Sequence, residues 1–391
     1  MNKIFSPFKQ SRLLNGLFLS TIFLSFHYAL IIYINSSFLS NFFSETQVSL
    51  LYIFGSILNV VLLLNASKII EKTSLYRFTA FALMFEFLAT VGLIVVRNPI
   101  LAAIYFLIHL EAIALIYFNF DIFMESATKD EGKTGEIRAA YLTMANITIV
   151  LAPLVISFIL VNNNYSLVYL FSALLLLPLY KLIKKLKTAK TGSIKHIRLV
   201  ETILDYRKDR DLYNISMSGF LLQSFYAFMV IYTPIYLVKH IGFSWSEIGV
   251  MFTIMLLPFV FFELPVGELA DRRYGEKEFL TIGFIIMGLC TLVMSFLTYK
   301  SFIAWTIILF LSRVGASFVE ITTESYFFKH VDQDKTDIIS FFRISRPVSF
   351  IIVPLVFALS LQFISFQYIF TIVGAFMIIG THYSLALHDT R

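Results

Sequence analysis

Charge is scarce in this chain. Asp, Glu, Lys and Arg together make up 14% of its 391 residues, while hydrophobic residues make up 58%. A soluble domain carries about 25% charged residues, so this sequence lacks the polar surface to cover itself in water. Cysteine is nearly absent. Cys290 stands alone inside an apolar run, which excludes a disulfide within the chain and a metal site built on cysteine thiolates. Signature motifs of catalysis are missing too. There is no His-Glu-x-x-His, no Gly-x-Ser-x-Gly and no Walker-type phosphate loop. The chain is therefore read as not an enzyme and not a nucleotide-driven pump in its own right, and no cofactor or metal is expected.

Long apolar runs fill the chain instead, each about 20 residues long and hence of membrane-spanning size. Twelve candidate helices fall near 13–34, 48–69, 78–96, 99–125, 140–161, 166–186, 212–238, 248–270, 279–298, 302–328, 339–362 and 367–388. Helices are expected because backbone groups in lipid must be satisfied within their own segment. The ten-residue alternation of a membrane β-barrel is absent. The first run is too long for a signal peptide and has no small-residue cleavage site, so it reads as a retained span.

Lys and Arg set the expected orientation. With the N-terminus inside, twenty-five of them fall on the cytoplasmic side and three, Arg97, Lys239 and Lys300, on the outer side. Positive charge accumulates in cytoplasmic loops, so both termini are expected inside. The net charge of +6 is read as this asymmetry, not as a sign of nucleic-acid binding. The longest polar segment runs from Lys181 to Asp211 and separates six spans from six. The expected organisation is a six-helix bundle over 1–186, a cytoplasmic linker over 187–211, and a second bundle over 212–391. The linker reads as solvated, with contact to anionic lipid headgroups as the sharper alternative.

The two halves resemble each other. An acidic residue, Ile, two residues and Glu-Ser begin at Asp121 and again at Glu320. Asp-x-x-Lys-Thr-x-x-Ile begins at Asp130 and at Asp332, and Pro-Leu-Val follows at Pro153 and at Pro354. Three matches in one order, at offsets of 199, 202 and 201 positions, point to duplication of a six-helix unit, an architecture found among transporters.

The stretch GELADRRYGEK, Gly267 to Lys277, places a charged turn between two apolar runs. It resembles the loop signature of the major facilitator superfamily, Gly-x-x-x-Asp-Arg-x-Gly-Arg-Lys. The topology of the whole chain is similar to that family as well. The resemblance implies an all-α integral membrane fold of twelve transmembrane helices in two six-helix pseudo-repeats. It also implies that Asp271 and Arg272, with Gly267 and Gly275, act as a conformational brace rather than as substrate contacts. The chain departs from the pattern in two places. In the loop an extra residue precedes Gly275 and Glu276 replaces an expected base, and the corresponding first-half stretch, Asn65 to Arg77, has neither glycine nor aspartate. Span five also lacks glycine, unlike the drug/proton antiporters of the family.

Ionisable residues at bilayer depth are costly and mark functional candidates. The family places the first and fourth helices of each half around a cavity, which directs attention to His27, His109, Glu111, Gln223, Tyr226 and Arg313. Glu111 and Arg313 are 202 positions apart and opposite in charge. They are expected to form or exchange an ion pair that couples protons to transport, the alternative being a structural pair. Asp121, Glu125, Glu320 and Glu324, with Arg343 and Arg346, read as a cytoplasmic gate or as packing at the inner boundary. Glu263 is expected to accept from backbone N–H groups near Pro265, and Glu86 to be structural on a peripheral helix. The function implied is secondary transport of a small solute by alternating access, with proton coupling, by a monomer in the cell membrane. A drug/proton efflux pump and a non-transporting receptor or scaffold on the same fold are the alternatives.

Overall fold

The structure, a computed structural model, describes residues 12–128, 134–161, 163–187, 209–270, 274–331 and 336–388. Regular structure among these residues is helical throughout, without strands. The helices are α1 (Arg12–Ile32), α2 (Asn35–Leu39), α3 (Glu45–Thr73), α4 (Leu75–Val95), α5 (Pro99–Thr128), α6 (Thr134–Ile159) and α7 (Tyr165–Leu182). After the central segment come α8 (Arg210–Ile235), α9 (Trp245–Phe261), α10 (Glu263–Leu269), α11 (Glu276–Met294), α12 (Phe302–His330), α13 (Thr336–Ser360) and α14 (Ile369–Leu385).

Ten helical stretches among the described residues are long and apolar enough to cross a membrane. The expected spans at 140–161 and 339–362 fall on α6 and α13, whose apolar parts, Met144–Ile159 and Ile344–Ser360, are shorter. Both helices open with polar residues and carry proline inside, Pro153 in α6 and Pro347 and Pro354 in α13. The single helix expected at 248–270 is broken at Phe262 into α9 and α10. Pro265 is the reason. It has no N–H to offer the carbonyl of Phe261, and its ring crowds that carbonyl.

The chain forms two compact units. One comprises Met1–Phe43 and Ile57–Ile194, the other Ser44–Ser56 and Lys195–Arg391, so the first turns of α3 group with the second unit. In the first unit α1 packs on α6 and α7, and α4 on α5 and α7. Phe18, Leu24, Ile116, Phe120 and Leu179 lie in its core. On the outer face of α4, Phe81, Phe85 and Leu88 are exposed. A contiguous apolar surface of this kind belongs against lipid.

In the second unit α11 packs between α12 and α14, while α8 contacts α12, α13 and α14. Trp305, Phe225, Phe228 and Tyr232 are fully buried there. Lipid removes most of the hydrophobic drive for helix association, so close van der Waals packing must supply it. Gly283 of α11 and Gly315 of α12 show how. A Cβ on Gly315 would lie 2.6 Å from the Gly283 carbonyl oxygen and 2.6 Å from the Met287 nitrogen. Backbone meets backbone at this crossing, which only glycine permits.

Candidate functional site

Three helices of the second unit enclose a polar cavity of about 160 Å³. Each contributes residues at helical spacing, so a single face of each helix is involved. Helix α8 gives Gly219, Leu222 and Gln223. Helix α12 gives Glu320, Thr323 and Glu324, and α13 gives Phe342, Ser345 and Arg346. One turn beyond Gln223, Tyr226 donates its hydroxyl to Glu320 Oε2 at 2.5 Å. That is at the short end of the range for O–H···O hydrogen bonds. Glu324 and Arg346 both lie within electrostatic reach of Glu320, as does Glu263 at the start of α10.

Arg313 lies on the same face of α12 as Glu320, seven residues earlier and so roughly 10 Å along the axis. It is buried, and its guanidinium stands 4.8 Å over the ring of Phe225. The aromatic face offsets part of the cost of holding a cation away from water. Small residues leave the space open. A Cβ on Gly219 would approach the Phe342 ring to 2.9 Å, and Phe342 is itself stacked on Phe327 with ring centroids 4.1 Å apart.

The structure thus joins two groups that the sequence separates. Gln223 and Tyr226, expected at a cavity, share one site with Glu320, Glu324 and Arg346, expected at a gate. Of the other gate residues, Asp121 is exposed, and the side chains of Glu125 and Arg343 lie outside the described residues. In the charged turn, Asp271 and Arg272 also lie outside them. Gly275 has φ +87° at the start of α11, the left-handed region that favours glycine. A Cβ on Gly267 would meet Ile321 of α12 at 3.2 Å.

The first unit holds a second cluster. His27 Nε2 lies 2.8 Å from Glu86 Oε1, and His109 Nδ1 lies 2.6 Å from the same oxygen. All three residues are at most 1% exposed. His27 and His109 are thus drawn into a buried hydrogen-bonded cluster with Glu86. Glu86 is not peripheral: α4 carries it fully buried to the meeting point of α1 and α5. Glu111, two residues beyond His109, turns to another face of α5. Its carboxylate is buried, and neither oxygen has a hydrogen-bond partner among the described residues.

Two further acids have surroundings that the sequence does not show. Glu276, which stands where the loop signature has a base, is buried and pairs with Lys329 of α12. It also accepts from Ser325 Oγ at 3.1 Å. Glu263 makes no described bond to the backbone near Pro265; the charge that acts on it is Glu320. A signal for Glu86 was present. Buried ionisable groups within spans must pair, and the first half offers only a few candidates.

Helices of spanning length with lipid-type outer faces define an integral, multi-pass membrane protein. The family model of the Major Facilitator Superfamily matches residues 215–389. The match takes in just under half of the chain, and the chain as a whole shares its fold with solved transporters. No curated protein matches the chain in sequence. Among solved structures, nucleoside transporter NupG is similar with a TM-score of 0.74 at 13% identity, covering 96% of this chain and 99% of that one. An auto-inhibited POT family peptide transporter gives 0.75 at 10% identity, over 97% and 98% of the two chains. A POT family transporter in complex with a thioalcohol-conjugated peptide gives 0.77 at 11% identity, over 95% of each. At these identities the likeness is one of fold.

Proposed function

We propose that the chain is a secondary transporter that carries a small polar solute by alternating access and binds it in the cavity of the second unit. The observation that carries this reading is the convergence of Gln223, Tyr226, Glu320, Glu324 and Arg346 from three helices onto one space of about 160 Å³. A volume of that size accommodates on the order of ten waters or a small solute of comparable bulk. Two carboxylates and a guanidinium recognise a solute that offers both a cationic or hydrogen-donating group and an accepting or anionic one. Fold neighbours described as nucleoside and peptide transporters make these two solute classes the first to test. Proton coupling through Glu111, both termini in the cytoplasm, a monomeric state and residence in the cell membrane belong to the same proposal. So does the brace role of Asp271 and Arg272.

The test is uptake of labelled nucleosides and of di- and tripeptides into proteoliposomes bearing the purified chain. One class is expected to accumulate. Glu320→Gln should abolish that uptake. Tyr226→Phe should lower it by about tenfold, the worth of one hydrogen bond to a charged group. Uptake that survives Glu320→Gln unchanged would move the solute site elsewhere. The absence of flux across broad solute pools would favour a receptor or scaffold on the same fold.

A further inference from the structure

The buried cluster of the first unit has the features of a metal site. Two imidazole nitrogens and one carboxylate oxygen converge, with all the donor atoms within 4.8 Å of one another. The rings are held from behind. His27 Nδ1 lies 3.1 Å from the Ser172 carbonyl and 2.7 Å from Ser172 Oγ. His109 Nε2 lies 3.1 Å from the Asn35 amide, which in turn accepts at Oδ1 from the Tyr169 hydroxyl at 2.8 Å. Histidines that bind metals are oriented in this way, by a carbonyl or side chain on the nitrogen facing away from the ion. A separate observation concerns Glu86. Its Oε1 receives both histidines, while its Oε2 is buried with no hydrogen-bond partner among the described residues. A polar atom left this way inside a protein is expensive. It is also the atom that would complete a bidentate carboxylate.

We propose that His27, Glu86 and His109 bind one divalent first-row transition cation, of the zinc type, within the first helical unit. Imidazole with a single carboxylate suits zinc and its neighbours. Magnesium and calcium, which demand oxygen ligands, are not suited. Zinc–ligand bonds of about 2.0–2.2 Å place tetrahedral donors roughly 3.3 Å apart. The separations of 2.6 and 2.8 Å are hydrogen-bond separations, so the Glu86 carboxylate would withdraw by roughly half an ångström, and the two imidazole nitrogens, within 4.8 Å of each other, would close toward the same spacing. The nitrogens facing the ion must give up their protons. His109 can move its proton to Nε2 if the Asn35 amide makes a half-turn, presenting Oδ1 to that N–H and leaving Nδ2 to donate to Tyr169. Asn35 and Tyr169 are thus positioning residues for the site.

The experiment is calorimetric titration of Zn²⁺ into the chelator-stripped full chain in detergent, with Co²⁺ absorption as a report on coordination and Mg²⁺ as the contrast. It is independent of any transport assay, so it can succeed or fail whatever becomes of the transport reading. One Zn²⁺ per chain is expected, with visible Co²⁺ bands of tetrahedral strength and no Mg²⁺ uptake. Glu86→Gln and His109→Asn should abolish binding. Tyr169→Phe keeps all three ligands and should weaken binding by tenfold to a hundredfold. It decides the matter if the ligand variants fail to fold. No saturable Zn²⁺ binding, or equal binding by wild type and Glu86→Gln, or by wild type and Tyr169→Phe, would make the cluster a hydrogen-bonded polar knot only.

Discussion

Glu320 and Glu111 are both carboxylates within membrane spans, yet their surroundings differ. Glu320 has Tyr226 as a donor at 2.5 Å and a cation, Arg346, in the same cavity. Glu111 is 7% exposed, and neither of its oxygens has a hydrogen-bond partner among the described residues. Burying an ionised carboxylate without partners is among the costliest arrangements in a protein. The cost falls when water or a cation reaches the group, which is the physical basis of the coupling proposed for Glu111. We expect Glu111→Gln to leave solute exchange between equal pools intact and to remove the drive from an imposed pH gradient. Exchange without gradient and accumulation with gradient, run side by side in proteoliposomes, separate the two effects. A variant that still accumulates solute against its gradient would remove Glu111 from the coupling role.

At the scale of the helix, the sequence shows existence and extent better than orientation. Apolar runs located the spans, because length and hydropathy depend only on the local chain. Which way each helix faces depends on tertiary packing. Glu86 illustrates this: α4 is apolar nearly all round, so no stripe indicates which side turns inward, and its partners lie 23 and 59 positions away. The cavity was half legible. Glu320 and Glu324 stand one turn apart in the sequence, but the sequence does not show that α8 turns Tyr226 toward them. The break at Phe262 was legible in principle from Pro265 and was missed because the hydrophobic run continues through it. Glycine contacts between helices are likewise invisible until the helices are placed. They predict an asymmetry between two glycines. Gly315→Ala drives a methyl group into the backbone of α11 and should destabilise the chain by about 1–3 kcal/mol, the usual cost of overpacking. Gly242 has φ +83° but open space around it, so Gly242→Ala should cost only the left-handed conformation, about 1 kcal/mol. Thermal unfolding in detergent, followed by light scattering, ranks the two. Equal melting temperatures would mean that α11 and α12 do not cross so closely.

At the scale of the whole molecule, the distribution of basic residues bears on how the chain sits in its membrane. Twenty-five Lys and Arg against three is a bias that insertion machinery reads as cytoplasmic loops. Two loop lysines are placed to test that orientation. Lys72 is exposed in the last turn of α3, and Lys300 lies in the connection before α12, bonded to Glu247 at 3.0 Å. The orientation proposed for the chain puts Lys72 inside and Lys300 outside. Cys290 is buried, so the parent chain should be nearly silent to a membrane-impermeant maleimide, and single cysteines can be introduced on it without a removal step. In intact cells Lys300→Cys should label and Lys72→Cys should not; after permeabilisation both should. The reverse pattern would place the termini outside and turn the cavity of the second unit around with them. The residues that bind the solute would stay the same, but the direction in which a proton gradient drives it would invert. Topology therefore has to be measured before uptake and efflux can be told apart, because vesicles of mixed orientation give flux of either sign.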